Sequence, residues 1–421
     1  MELYENTRDT EKVLLISVDT GEFDAEVSVG ELKELVRTAG GETEAVIIQK
    51  RSKPDAVSFI GSGKLEEARE ICENAEIDLV ICDGELTPTQ GRVLEKILKT
   101  RAIDRTVLIL DIFAKNARSG EGKLQVELAQ LKYSLPRLQG QGTALSRLGG
   151  GIGTRGPGET KLESDKRHIR RRIHTLEESL EELTKRRQRY RERRKKDGIV
   201  TAAIVGYTNA GKSTLLNTLT QANVLAENKL FATLDPTARS IRLPDGSEVM
   251  LIDTVGFISR LPHFLVEAFK STLEEATNAD ILIILCDASD PECESQLQVT
   301  KEILKELGGE GKPVITVYNK CDIASSYLLP VTKNTVKISA LNGVGIDSLL
   351  ECISENMPAT KKRVLLLIPF SLGSLANEIR NTSRILREEY RPEGVFFDAV
   401  VDLQIMYKIL DYITTEKEDE K

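Results

Sequence analysis

Gly206-Tyr207-Thr208-Asn209-Ala210-Gly211-Lys212-Ser213 follows the apolar run Ala202-Ala203-Ile204-Val205 and leads into Thr214-Leu215-Leu216-Asn217, so strand, glycine loop and helix come in that order. In that setting the octapeptide reads as a phosphate-binding P-loop. Its glycines let successive backbone N–H groups, at the positive end of the following helix dipole, converge on phosphate oxygens. The expected phosphate contacts are Gly206, Asn209, Ala210, Gly211, Lys212, Ser213 and Thr214, with Lys212 reaching the β- and γ-phosphates and Ser213 holding Mg2+.

Working outward, Asp253-Thr254-Val255-Gly256 closes a second apolar run, Val249-Met250-Leu251-Ile252. That puts a carboxylate at the carboxyl end of a strand, where open α/β sheets bind ligands. Asp253 is expected to hold the water shell of Mg2+, and the Gly256 N–H to sense a γ-phosphate. Farther on, Val314-Ile315-Thr316-Val317-Tyr318 runs into Asn319-Lys320-Cys321-Asp322, and Val336-Lys337-Ile338 into Ser339-Ala340-Leu341. Guanine offers an N1–H and an exocyclic amine that the Asp322 carboxylate can accept together, and adenine does not. A site built on such bonds rejects the wrong base by ~10⁴-fold. GTP is therefore the expected substrate and GDP the product. Asn319 would support the loop and the base edge, Lys320 would lie along the ring, and the Ser339 and Ala340 backbone would meet the guanine oxygen. In Leu230-Phe231-Ala232-Thr233-Leu234-Asp235-Pro236-Thr237, between the first two motifs, Thr233 is the best candidate for a second Mg2+ ligand and Thr237 the alternative. Lys212, Thr233 and Gly256 are thus the expected catalytic set. After Gly256, where Ras-type GTPases carry a water-orienting glutamine, stands Phe257. An apolar ring cannot hydrogen-bond water, so slow basal turnover raised by a macromolecular partner is expected.

At 421 residues the chain is too long for one core, and about three or four domains are expected. The start, Met1-Glu2-Leu3-Tyr4-Glu5-Asn6, lacks the basic and apolar regions of a secretory signal, and no apolar stretch approaches the ~20 residues that span a bilayer. The six cysteines are scattered and the three histidines lack zinc-ligand spacing, so a cytoplasmic protein with reduced thiols and no transition metal is expected. A net charge of −8 would argue against nucleic acid if evenly spread, but Lys161 to Lys196 concentrates Lys166-Arg167, Arg170-Arg171-Arg172 and Lys185-Arg186-Arg187. Local basicity is what a phosphate backbone meets.

Residues 1–112 alternate strand-like and helix-like segments, from Val13–Val18 through Leu79–Cys82 to Val107-Leu108-Ile109-Leu110-Asp111, and predict a small parallel α/β domain. Within it Gly61-Ser62-Gly63-Lys64 is too short for a second P-loop and reads as a glycine turn capping a helix, the alternative being a phosphate contact. Residues 113–197 change character. Ile169, Ile173, Leu176, Leu180, Leu183 and Tyr190 keep heptad a/d spacing, and Leu124, Leu128, Leu131 and Leu135 offer a matching face. An intramolecular antiparallel coiled coil in a monomer is expected, its long helix from Glu159 to Lys196 reaching ~57 Å. Self-association through that seam is the runner-up. Leu148-Gly149-Gly150-Gly151-Ile152-Gly153-Thr154-Arg155-Gly156-Pro157-Gly158-Glu159, between the helices, is costly to order unless it binds something, and Arg155 could meet phosphate there. Arg155, Arg170, Arg171 and Arg172 are the candidate RNA contacts. The nucleotide-binding domain is expected at 198–356, and a small α/β unit at 361–421.

The P-loop, Phe231-Ala232-Thr233-Leu234-Asp235-Pro236-Thr237 and Asp253-Thr254-Val255-Gly256-Phe257 resemble those of the HflX family of GTPases. So do Gly149–Gly153, Arg155–Thr160, Glu121–Ala129 and Ile60–Lys64 outside that domain. The resemblance implies a cytoplasmic GTPase that binds the large ribosomal subunit, its rRNA and proteins, and splits stalled ribosomes with a helical hairpin and glycine loop reaching toward the peptidyl-transferase region. Some relatives use ATP at the N-terminal domain, and Gly61–Lys64 is the place for it. A ribosome-assembly GTPase, an RNA-remodelling nucleoside triphosphatase and a switch-type adaptor acting through the coiled coil are the alternatives.

Overall fold

The structure is a computed structural model that describes residues 10–138, 161–220, 230–231, 237–260, 262–324, 332–358, 361–402 and 405–414. Three sheets organise it, in the orders β2-β1-β3-β4, β10-β9-β8-β5-β7-β6 and β11-β13-β12.

The first sheet comprises β1 (Lys12–Asp19), β2 (Glu42–Lys50), β3 (Leu79–Cys82) and β4 (Arg101–Asp104), all parallel. Helices α1 (Ala25–Ala39), α2 (Ser62–Asn74), α3 (Pro88–Leu98) and α4 (Arg105–Asn116) cover it. β1 is buried along six consecutive residues, which is why it reads as a continuous apolar run. Val107–Asp111, expected as a strand, is instead the middle of α4. Asp104 caps that helix by accepting from the Val107 N–H at 3.0 Å, and Leu108, Ile109, Leu110, Ile112 and Phe113 are buried around it. A helix buried on most sides carries no amphipathic period, so a short apolar run does not distinguish it from a core strand. α4 also runs through position 112, where the domain boundary was expected. Gly61 caps α2 without a side-chain bond, and Lys64 pairs with Glu67 on the same helix, as the glycine-turn reading expects.

Helices α5 (Gly120–Arg137) and α6 (Lys161–Lys196) form an antiparallel pair. Glu121 early in α5 meets Arg187 late in α6, whereas Lys132 meets the earlier Glu177. Leu176 is buried in the seam and Ile169, Ile173, Leu180 and Leu183 are half-buried, but Tyr190 is 63% exposed and does not continue the stripe. On α5 the leucine stripe is only half-buried. The more buried face is Gln125, Val126, Ala129 and Tyr133, because it packs inward toward α4 and α8 (His263–Ala268), with the Tyr133 and Phe264 rings 5.4 Å apart.

The second sheet holds β5 (Val200–Gly206), β6 (Thr237–Arg242), β7 (Glu248–Asp253), β8 (Ile281–Asp287), β9 (Val314–Asn319) and β10 (Thr335–Lys337), parallel except for β6. Its described helices include α7 (Lys212–Thr220), α9 (Lys270–Asn278), α10 (Cys293–Glu306) and α11 (Ile346–Glu355). Its core is continuous with that of the first domain: Phe113 of α4 stacks edge-on against Phe231 at 4.8 Å and Phe269 at 4.7 Å. β11 (Lys361–Ile368), β13 (Gly394–Asp402) and β12 (Arg384–Arg391) form a C-terminal antiparallel sheet with α12 (Gly373–Thr382) and α13 (Met406–Ile409). β12, Arg-Ile-Leu-Arg-Glu-Glu-Tyr-Arg, is an edge strand with no buried residue, too polar to register as a strand in the sequence.

Candidate active site

β5 is flanked by β7 and β8, and its carboxyl end, with theirs and that of β9, defines one rim of the sheet. Asn209 (φ 63°) and Gly211 (φ 96°) take left-handed conformations and turn the loop backbone into a cradle ahead of α7. Only glycine fits at 211, because a Cβ there would stand 2.3 Å from Asn319 Nδ2. Lys212 Nζ is buried and donates to the Tyr207 carbonyl at 2.8 Å and the Gly206 carbonyl at 3.2 Å. Burial pushes its ammonium down to about 8, partly offset by the Asp253 carboxylate. A buried cation that leans on neutral carbonyls is electrostatically set up for an anion.

Ser213 Oγ donates to Asp253 Oδ2 at 2.8 Å, and Asp253 is fully buried at the end of β7. A hydroxyl and a carboxylate in contact beside the cradle are the hard oxygen donors that suit Mg2+. Thr237 lies opposite Asp253 in the β6–β7 ladder. Thr233 and Arg155 lie outside the described residues.

Gly256 lies over the lysine, where a Cβ would stand 2.9 Å from Lys212 Nζ and 2.8 Å from Thr208 Cγ2. The next residue is zipped to the P-loop. Phe257 N–H donates to the Gly206 carbonyl at 3.0 Å, and the Thr208 N–H donates to the Phe257 carbonyl at 2.7 Å. The Phe257 ring is 1% exposed and belongs to the core, turned away from any water.

At the other end of the rim, Asn319 Nδ2 donates to the Ala210 carbonyl at 2.8 Å while its Oδ1 accepts from the Ala340 N–H at 2.9 Å. One side chain thus fastens the phosphate loop to the loop of buried Ser339 and Ala340, and Thr218 Oγ1 steadies the Ala340 carbonyl at 2.7 Å. Lys320 (φ 62°) pairs with Asp287 at 2.6 Å, the Asp322 carboxylate is exposed at the rim, and Thr214 is half-buried on α7. The sheet therefore gathers onto one edge P-loop, Asp253, Gly256, Asn319, Asp322 and the Ser339-Ala340 turn, elements spread over more than a hundred residues of sequence. The candidate RNA contacts sit elsewhere. Arg170, Arg171 and Arg172 are all exposed on α6, and Arg172 is also held by Glu127 of α5 in two bonds of 2.6 and 2.8 Å. Among the described residues no helix is long and apolar enough to cross a membrane, no cluster of His, Cys, Asp and Glu suits a metal, and all six cysteines are free thiols.

Sequence reasoning passed over Glu31, Asp83, Arg105, Tyr207 and Arg260, which meet beside the P-loop. One signal was available: Asp83, like Asp253, directly follows an apolar strand run.

A parallel sheet that presents a P-loop, a strand-end aspartate with glycine three residues on, and a tethered Asn-Lys-x-Asp loop on one rim defines a P-loop GTPase. Residues 26–114 match the family described as GTP-binding GTPase N-terminal, 116–194 the GTP-binding GTPase Middle Region, and 201–320 the 50S ribosome-binding GTPase family. The chain is 50% identical over 410 residues to GTPase HflX of Caldanaerobacter subterraneus subsp. tengcongensis, covering 97% of this chain and 95% of that protein. Against GTPase HflX of Escherichia coli the identity is 41% over 388 residues, covering 91% and 90%. A solved GTP-binding protein from the archaeon Sulfolobus solfataricus, in complex with GDP, is 28% identical, with a TM-score of 0.44 over 82% of this chain and 98% of that one. The chain belongs to the HflX family of GTPases, and it binds GTP and hydrolyses it to GDP and phosphate.

Proposed function

We propose that this GTPase binds the large ribosomal subunit, rRNA and ribosomal proteins together, as a cytoplasmic monomer, and uses the GTP cycle to split stalled ribosomes. The observation that carries the reading is the 36-residue α6, a strut of ~54 Å that presents Arg170 and Arg171 outward, while Arg172 and Arg187 brace it against α5. A long strut with exposed basic residues along it suits a phosphate backbone better than a protein groove. The match to a 50S ribosome-binding GTPase family supports it.

In the nucleotide site Lys212 holds the β- and γ-phosphates, the P-loop N–H groups from Asn209 to Thr214 the rest, and Asp322 the guanine edge. Ser213, and Asp253 through water, would hold Mg2+ with Thr233 or Thr237; bound there, the ion neutralises charge on the phosphate oxygens. Lys212 and the Gly256 N–H stabilise charge building on the γ-phosphate, with Thr233 completing the set. Because the Phe257 ring is turned into the core, no side chain at that position orients the attacking water, and basal turnover is slow until a partner rearranges the loop. Co-sedimentation with ribosomal subunits tests this reading: pelleting with a non-hydrolysable GTP analogue, weaker with GDP and weakening with salt, is expected. Absence of pelleting with either nucleotide refutes it in favour of the adaptor.

A further inference from the structure

The carboxyl edge of a parallel sheet is where open α/β domains take ligands. At that edge of the N-terminal sheet, fully buried Asp83 receives two guanidiniums, Arg105 at 3.0 Å from its own domain and Arg260 at 3.1 Å from the loop after Gly256. Arg260 also donates to Ser28 Oγ at 2.9 Å and to the Asp83 carbonyl at 3.3 Å, and its guanidinium lies 3.6 Å over the Phe23 ring. Carboxylate, hydroxyl, carbonyl and ring face together make a receptor for a planar cation. Burial pushes the Asp83 carboxyl up, but Arg105, Arg260 and the Ser28 hydroxyl outweigh it and hold it below the ordinary carboxylate value, so it stays charged.

The neighbouring residues extend the grip. Glu31 of α1 accepts from Arg105 at 2.8 Å, from the Ser259 hydroxyl and from the Tyr207 phenol of the P-loop, while Arg105 donates to the Ser259 carbonyl at 3.0 Å. Residues 257–260 are therefore held by the P-loop on one side and by the N-terminal domain on the other. Leu230 and Phe231 are held by the same domain: Asn116 Nδ2 donates to the Phe231 carbonyl at 2.8 Å, and the Leu230 N–H to Thr38 at 3.3 Å.

In this arrangement Gly256 stands against the Lys212 ammonium with less than a methyl group's clearance. A γ-phosphate oxygen shared between Lys212 Nζ and the Gly256 N–H would stand about 2.8 Å from each, adding an atom beside a glycine that has no room for a Cβ against Lys212 and Thr208. We propose that the N-terminal domain is a guanidinium receptor for Arg260 of the same chain, and that this latch keeps the loop after Gly256 closed on the P-loop, so that GTP has to open it and GDP does not. The inference rests on the assignment of the γ-phosphate to Lys212 and Gly256 made above.

Calorimetric titration of the full chain with GDP and with a non-hydrolysable GTP analogue tests it. In Arg260→Gln the affinity for GDP should hold, while that for the analogue should rise about tenfold, the equivalent of one charge-assisted hydrogen bond. Arg260→Lys, which keeps the charge but places its donors on a single nitrogen, should fall between. Phe23→Ala, which leaves every partner of Asp83 in place and serves if Arg260→Gln folds poorly, should move the same way by less. The latch is overturned if the ratio of the two affinities is unchanged in these variants or shifts toward GDP. Failure of the guanine-site reading is seen separately, on the unmodified chain, as equal binding of GTP and ATP analogues.

Discussion

Replacing Lys212 by methionine should stabilise the nucleotide-free protein and, in the same variant, abolish tight triphosphate binding. The folded ammonium titrates at about 8 instead of its ordinary 10.5 because it is buried. A folded value below the unfolded one means that the unfolded chain holds the proton more tightly in that window. Stability therefore rises with pH between about 8 and 10.5, and below 8 the folded state carries the whole cost, about 3 kcal/mol at roughly 1.4 kcal/mol per factor of ten. Methionine keeps most of the packing but leaves the Gly206 and Tyr207 carbonyls without their donor, a loss of about 1–2 kcal/mol. The net gain of about 1–2 kcal/mol should raise the melting temperature near pH 7 by roughly 2–8 °C, and the gain should vanish between about pH 9 and 10 and reverse by about pH 10.5. Differential scanning calorimetry across pH, with no nucleotide added, reads both. A binding consequence has the same origin: phosphates favour the charged amine, so GTP affinity should fall above pH 8, with proton uptake visible as a buffer-dependent binding heat. A Lys212→Met protein that melts lower than the unmodified chain at neutral pH would show that the lysine is not an uncompensated buried charge, and the electrostatic argument for an anion site would fail with it.

Asp322→Asn should narrow the preference for guanine over adenine nucleotides, measured as the ratio of GDP to ADP affinity, because an amide cannot accept from both the N1–H and the amine. Asn319→Ala removes both bonds that tie Ala210 to Ala340, and GDP affinity by calorimetry should fall ~10–100-fold, since each bond contributes about 1 kcal/mol and the two loops then move independently. Arg170→Glu with Arg171→Glu should leave nucleotide affinity intact and flatten the salt dependence of subunit pelleting, whereas Arg172→Glu, which places like charge against Glu127, should lower hairpin stability by thermal melt. Unaltered pelleting by the Arg170/Arg171 double variant would mean that the basic face only solubilises the helix.

The local devices of this protein were legible because each is a short run whose neighbours share one physical task. The P-loop needs its strand, glycines and helix in order, and the guanine motif needs a carboxylate just past a strand. The a/d stripe of α6 was equally plain up to Leu183, because a seam repeats its own period. Segments whose environment is not periodic were misread or missed. α4 looked like a strand because it is buried on nearly all sides, and β12 looked like nothing because it is a polar edge.

What the linear chain determined is chemistry: a P-loop, an Asn-Lys-x-Asp motif for a guanine nucleotide and, between them, an Asp-x-x-Gly. What only the tertiary structure decided is how the domains hold one another. Arg172 pairs with Glu127 across the hairpin, Tyr190 leaves the seam, and Glu31, Asp83, Arg105 and Arg260, spread from position 31 to 260, meet at the P-loop's flank. The reason is that a motif is written by residues a few positions apart, whose geometry the backbone dictates. A buried ion-pair network joins residues far apart in the chain, and their distances exist only once two cores have packed into one.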